Sequence, residues 1–159
     1  MVSKILVMDH LLAGHHKPEP NTLLIRILDG IPTRHYSTIR EWDKFLRVLE
    51  YRFDDVEGKN NGNYSDEYIR LDSNMAKRMV SQVKSLISNT EILAVSCYAG
   101  QSRSIATAGA LNHVFKLNIP DEEYFDYGYH QPNMFVYNKI IEAGRKKGLN
   151  FKAKWMNID

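Results

Sequence analysis

The sequence has a single cysteine, Cys97, and no long hydrophobic run. A lone cysteine cannot form an internal disulfide or supply a zinc site made of several thiolates, so its thiol is either a buried inert group or a nucleophile. No apolar stretch approaches the roughly 20 residues of a membrane span, and the N-terminal run at residues 5–8 is too short for a signal-peptide core. We therefore expect a cytoplasmic protein with no membrane partner.

The chain also lacks an excess of charge of either sign. It has 21 Lys and Arg residues against 19 Asp and Glu residues, which gives a net charge of +2 at pH 7. A surface that neutralises many phosphates needs more positive charge, so we do not expect a nucleic-acid partner. The length of 159 residues, with 43% hydrophobic and 25% charged residues, predicts one globular domain over residues 1–159.

Short hydrophobic runs bounded by turn residues predict the strands. They lie at residues 5–8, 23–28 and 92–95, and a fourth run at residues 48–53 ends in Asp54 and Asp55. Residues 57–68 are rich in turn formers and predict a long exposed loop.

Apolar residues at intervals of three and four predict the helices. The first predicted helix starts at a capping box of Thr38 and Glu41 and continues to Leu49. The second follows Asp72 as its N-cap, the third is the Ala-rich segment 105–115, and the fourth runs from Pro132 to about residue 147. Strands that alternate with helices predict an α/β domain whose central, mostly parallel sheet is flanked by helices.

Functional sites in such sheets lie at the carboxyl ends of the strands. Cys97 follows one predicted strand, and Asp54 and Asp55 follow another, so these side chains are expected to meet across one crevice. The loop after Cys97 leads directly into a helix, where backbone N–H groups and the helix dipole attract an anion. Gly100 lets this loop turn tightly, and Arg103 can hold two oxygens of a tetrahedral anion. A thiolate in such a phosphate-binding loop is a nucleophile directed at phosphorus.

These residues resemble the signature of the cysteine-dependent protein tyrosine phosphatases, most closely the small dual-specificity-like and the bacterial or viral single-domain members. The signature is Cys-x-x-Gly-x-x-Arg-Ser, and Cys97, Gly100, Arg103 and Ser104 match it. A coincidence of these residue types at this spacing has a chance on the order of one in several thousand. The family usually has His before the nucleophile, where this chain has Ser96.

The resemblance implies a phosphomonoester hydrolase that acts on phosphorylated proteins through a cysteinyl-phosphate, without a metal or an organic cofactor. Cys97 would be the nucleophile, Arg103 would bind the phosphate oxygens, and Ser104 would stabilise the thiolate as it leaves. The backbone amides of the loop would bind the same oxygens; the residues are Tyr98, Ala99, Gly100, Gln101, Ser102 and Arg103.

The general acid implied by the resemblance has three candidates, Asp54, Asp55 and Asp66. Side chains alternate along a strand, so Asp54 and Asp55 cannot both face the crevice if the strand persists. We choose Asp55, with Asp54 holding the loop in place, because the residue further from the strand is freer to reach a substrate. Gln131 and Asn133 lie where related enzymes often support the site, although no spacing proves this for either residue.

Two alternative functions remain. One is a catalytically weak or silent phosphate-binding module, which Ser96 and the uncertain acid leave open. The other is a phosphatase for RNA 5′-phosphates or phosphoinositides, against which the uncharged side chains at positions 98, 99, 101 and 102 argue. Basic residues near the C-terminal end are interpreted as a solvated surface; they are Arg145, Lys146, Lys147, Lys152 and Lys154.

Overall fold

A parallel β-sheet forms the centre of the molecule in the computed structural model, which describes residues 1–56 and 68–155. Within these residues the strands are β1 (Lys4–Met8), β2 (Thr22–Leu28), β3 (Arg47–Arg52) and β4 (Ile92–Ser96). Their order across the sheet is β1-β4-β2-β3, and every neighbouring pair is parallel. The predicted α/β fold class is confirmed.

Helices cover both faces of this sheet. They are α1 (His10–His15), α2 (Ser73–Leu86), α3 (Arg103–Val114) and α4 (Met134–Lys146), with short 3₁₀ turns at Trp42–Lys44, Ile87–Asn89 and Asp121–Glu123. The Asp72 carboxylate caps α2 by accepting from the Met75 N–H at 2.7 Å, as predicted. No helix in the described part of the chain is long and apolar enough to cross a membrane.

Successive side chains of β2 point to opposite faces of the sheet and build two cores. Leu23, Ile25 and Ile27 enter the larger core with residues of α2, α3 and α4, whereas Leu24 packs with Ala13 in the smaller core beside α1. All of these side chains are fully buried. Because both faces are covered, the central strands β2 and β4 consist mostly of hydrophobic residues, as expected of a buried parallel sheet.

The helix predicted from Thr38 to Leu49 is wrong. Only Trp42–Lys44 forms a single 3₁₀ turn, and Arg47 already pairs with Leu23 in the sheet. The apolar residues do not share one helical face, because Phe45 is buried in the smaller core and Leu49 in the larger one. Pairing with β2 thus overrides a local helical periodicity, and sequence patterns of this length do not distinguish the two outcomes.

Helix α1 was not predicted, since the sequence indicated only a strand and then a loop. Its N-cap is Asp9, whose carboxylate accepts from the Leu12 N–H at 2.8 Å. The predicted exposed loop at residues 57–68 lies outside the described residues except for its last residue, Tyr68. The candidate acid Asp66 lies outside them as well.

Candidate active site

Strand β4 ends at Ser96, and α3 begins at Arg103; residues 97–102, here called the Cys97 loop, connect them. Gly100 has a φ of +69°, and a Cβ there would lie 2.7 Å from the Asp9 backbone nitrogen. Only glycine fits this tight approach between the loop and the end of β1. The predicted loop between a strand and a helix is therefore present, and the sequence correctly identified its turn residue.

The carbonyl groups of the Cys97 loop point away from its centre. Those of Tyr98, Gln101 and Ser102 accept from the backbone N–H groups of His10, Gln131 and Asn133 at 3.0–3.3 Å. The Ala99 carbonyl accepts from the Tyr129 hydroxyl at 3.3 Å. In a planar trans peptide the N–H of the next residue points the opposite way.

The amides at positions 99, 100, 102 and 103 consequently face the inside of the loop. None of them donates a hydrogen bond within the described residues. Four inward N–H groups at the N-terminus of a 12-residue helix form a cradle for an anion.

Cys97 lies beneath this cradle and is 3% exposed. Its Sγ lies 3.1 Å from the Oγ of Ser104, which is fully buried in the first turn of α3. The Ser104 hydroxyl is thus placed to donate to the sulfur of a Cys97 thiolate. The structure thus brings together Cys97 and Ser104 as the sequence predicted.

Arg103 is almost completely buried, at 2% exposure, and its guanidinium is fixed by three groups. Its Nη1 donates to the Phe53 carbonyl at 2.7 Å, and its Nη2 lies 3.0 Å from Asp29 Oδ1 and 3.4 Å from the Tyr36 hydroxyl. The Nε atom is buried and has no partner within the described residues. Burial would lower the pKa of Arg103, but the charge of the Cys97 thiolate and the contacts with Tyr36 and Asp29 raise it. Three of its five N–H donors are engaged by these groups, so this guanidinium stays charged and keeps donors, Nε among them, for a ligand.

Asp29 is the centre of a network that the sequence did not reveal. Arg34 donates to both of its carboxylate oxygens at 2.7 Å, and the Tyr36 hydroxyl donates to Oδ1 at 2.9 Å. Burial raises the pKa of Asp29, but these donors and the charge of Arg103 outweigh it and lower the pKa to about 2. Asp29 follows β2 just as Cys97 follows β4. Its position at the carboxyl end of a strand is therefore the sequence feature that could have identified it as a site residue.

The two acids after β3 have different surroundings. Asp54 is buried; its Oδ1 accepts from the Gly30 N–H at 3.0 Å and its Oδ2 from the Ile69 N–H at 2.8 Å. It thus ties together two loops, which is the role expected for it. Asp55 is exposed, and its Oδ1 accepts from the Ser102 hydroxyl at 2.8 Å, so its carboxylate lies against the Cys97 loop.

Asn133 connects Asp55 to the rest of the site. Its Nδ2 donates to Asp55 Oδ1 at 2.8 Å, while its Oδ1 caps α4 by accepting from the Val136 N–H at 3.1 Å. Its backbone N–H also donates to the Ser102 carbonyl, and the residue is 1% exposed. One buried amide therefore positions the acid, the loop and a helix relative to each other.

An aromatic cluster borders the loop on the side of α1. The Tyr98 ring stacks on His10 with 4.5 Å between ring centroids, and the Arg34 guanidinium lies 3.9 Å from the Tyr98 centroid. These contacts fix the Tyr98 side chain at the edge of the loop. Among the described residues no cluster of three or more His, Cys, Asp or Glu side chains has the arrangement of a metal site.

Comparison with solved structures finds a similar architecture in the human tyrosine phosphatase-like serine/threonine/tyrosine-interacting protein. The match has a TM-score of 0.54 and 17% sequence identity and covers 90% of this chain and 92% of that one. At this identity the likeness shows the fold alone. The chain has a tyrosine phosphatase-like α/β fold. No family model matches the sequence, and the search of curated proteins found no relative.

Proposed function

We propose that the protein is a phosphomonoester hydrolase that works through a cysteinyl-phosphate, with phosphotyrosine in proteins as the main substrate class. The supporting observation is the Cys97 loop, in which four inward amides and the unpartnered Arg103 Nε surround a buried thiol. Such a constellation complements the three equatorial oxygens of a phosphoryl group during its transfer. Phosphoserine and phosphothreonine are further candidates, and the cytoplasm is the expected compartment.

In the first step the Cys97 thiolate attacks phosphorus, an S–P bond forms, and the bond from phosphorus to the ester oxygen breaks. Asp55 donates its proton to that leaving oxygen. Its carboxylate already lies at the edge of the loop, beside the Ser102 hydroxyl. Arg103 and the loop amides hold the remaining oxygens throughout.

In the second step Asp55, now a carboxylate, takes a proton from water while the water oxygen attacks phosphorus. The S–P bond breaks and inorganic phosphate leaves. Ser104 donates to the departing thiolate, for which its Oγ is placed 3.1 Å from the sulfur. The two steps return the protein to its starting state without a redox change.

Turnover of p-nitrophenyl phosphate tests the proposal. We expect activity that is insensitive to a chelator and is abolished by Cys97→Ser, while vanadate still binds the variant because the cradle is mostly backbone. Undiminished turnover by Cys97→Ser, or loss of wild-type activity in chelator, would exclude the mechanism.

A catalytically silent phosphate-binding module is the second candidate. It is favoured by the position of Asp55, whose Oδ1 already accepts from both Ser102 and Asn133, and by Ser96 in place of the usual His. Saturable vanadate binding by a wild-type protein that does not turn over any aryl phosphate would select this candidate.

A further inference from the structure

A second concave site lies at the opposite end of α3 from the Cys97 loop. The helix has 12 residues and is therefore about 18 Å long, with Arg103 at its first turn and His113 in its last. Its C-terminal end, the following turn and the extended segment before Trp155 enclose a cavity of about 170 Å³. The cavity is lined by Asn112, His113, Lys116, Asn118, Lys152 and Lys154.

Three lysines line this cavity, and none of them has a counterion among the described residues. Lys116, Lys152 and Lys154 are exposed, and within the described part of the chain no carboxylate forms an ion pair with any of them. Lys152 and Lys154 lie two residues apart before the buried Trp155, and both line the cavity. Like charges brought together repel, and a bound anion would remove that repulsion.

The end of helix α3 does not account for these lysines. Cations near a helix C-terminus can satisfy its last carbonyl groups. Here the carbonyls of Leu111, Asn112 and His113 already accept from the backbone N–H groups of residues 115, 117 and 116. The ammonium groups are therefore available to a ligand.

A buried polar group adds to the cavity wall. The His113 side chain is 2% exposed, and its Nδ1 is bonded to the Tyr137 hydroxyl at 2.8 Å. Its Nε2 has no hydrogen-bond partner among the described residues, and the Asp121 Oδ1 lies 3.8 Å from it. That carboxylate already accepts from Tyr124 and Trp155. The site thus combines three lysines with a buried imidazole whose Nε2 lies on the side of the Asp121 carboxylate.

We propose that this cavity binds a phosphate group, either as inorganic phosphate or as the terminal group of a phosphate monoester. Lysine ammonium groups only donate, and a phosphate offers several acceptor oxygens with a charge of about −1.5 to −2. A ligand with a single carboxylate has only one negative charge and would offset less of the repulsion among the three lysines than a phosphate does. The cavity is several times the roughly 30 Å³ that one water occupies in the liquid, which suits one such group with a small attachment. This site is independent of the proposed catalytic function.

Phosphate titration followed by ¹H–¹⁵N NMR separates the two sites. Inorganic phosphate is added to the full chain, and the amide signals of Asn118 and Ile119 are compared with those of the Cys97 loop. We expect both groups to shift and saturate, whereas sodium chloride at equal ionic strength leaves them unmoved. Lys152→Gln/Lys154→Gln should weaken binding at Asn118 and Ile119 about tenfold and leave the Cys97 loop unchanged.

The matched control is Lys17→Gln/Lys147→Gln, which removes the same charge from positions that do not line the cavity. It should change neither response. The proposal would be overturned if the signals of Asn118 and Ile119 do not shift with phosphate, or if sodium chloride shifts them as much as phosphate does. It would also be overturned if the control variant loses as much phosphate affinity as Lys152→Gln/Lys154→Gln. Loss of the response in the Cys97 loop alone would count against the proposed catalytic site and leave the cavity proposal standing.

Discussion

Replacing Asp29 by asparagine removes one negative charge from the network around Arg103 and preserves the shape of the side chain. Asp29 is bonded to Arg34 and Tyr36 and lies 3.0 Å from the Arg103 Nη2, at 4% side-chain exposure. The variant therefore leaves Arg103 buried without its carboxylate partner. We expect both a less stable fold and a weaker grip on phosphate.

The magnitude follows from the pKa of Asp29, which falls from 3.8 to about 2 in the folded chain. One pKa unit corresponds to about 1.36 kcal/mol, so the folded state favours the charged carboxylate by about 2 kcal/mol. Because the folded pKa is lowered, this stability is fully present above pH 3.8 and is lost as the pH falls toward 2. Asp29→Asn should therefore lower the free energy of unfolding by about 2 kcal/mol at pH 7 and by much less near pH 2.

Urea denaturation at both pH values measures the stability, and turnover of p-nitrophenyl phosphate measures the site. We expect kcat/KM to fall at least about tenfold, since a misplaced guanidinium loses part of its two-oxygen grip. The control is Glu142→Gln, which makes the same chemical change in the exposed pair with Lys146 and should leave the free energy of unfolding nearly unchanged. An Asp29→Asn variant as stable and as active as the wild type would refute the role of this network.

Four further substitutions test other parts of the account. Arg103→Lys should lower both phosphate affinity and kcat by more than about tenfold in steady-state assays, because a point charge does not reproduce the planar grip. Asp55→Asn should lower kcat/KM about 100-fold for phenyl phosphate and far less for p-nitrophenyl phosphate, since a good leaving group needs little protonation in the first step. The same dependence in Asp54→Asn instead would transfer the role to Asp54. Asn133→Asp keeps an N-cap for α4 but places a buried carboxylate against Asp55, so kcat/KM for phenyl phosphate should fall about tenfold and the urea midpoint should fall as well. Gly109→Ala should cost about 2 kcal/mol in urea denaturation, because its Cβ would lie 2.1 Å from the Trp155 ring; unchanged stability would show that the ring moves aside.

The elements that the sequence predicted correctly are those whose local pattern agrees with their burial. Residues 92–95 of strand β4 are all apolar because both faces of the sheet are covered, and α2 carries one apolar stripe behind the cap at Asp72. The segment at residues 38–49 was mispredicted because its apolar residues serve two cores on opposite faces of the sheet. Local periodicity contains no information about that division.

The candidate site shows the same limit. Cys97, Gly100, Arg103 and Ser104 belong to one short segment, so their spacing alone indicated an anion cradle. The groups that hold Arg103 come from the ends of β2 and β3, and their approach depends on the order of the strands. Asp29 was accordingly not among the candidate site residues predicted from the sequence.

Detection of the covalent intermediate tests the central claim most directly. The Asp55→Asn variant is mixed with p-nitrophenyl phosphate and quenched in acid, and the protein is then digested and analysed by mass spectrometry, with Cys97→Ser treated in the same way. The proposed mechanism predicts that the peptide containing Cys97 gains the mass of one phosphoryl group and that Cys97→Ser gains none. A phosphoryl group on another residue would contradict the mechanism. It would also be contradicted if the wild type turns over the substrate but rapidly quenched samples of Asp55→Asn contain no phosphorylated Cys97.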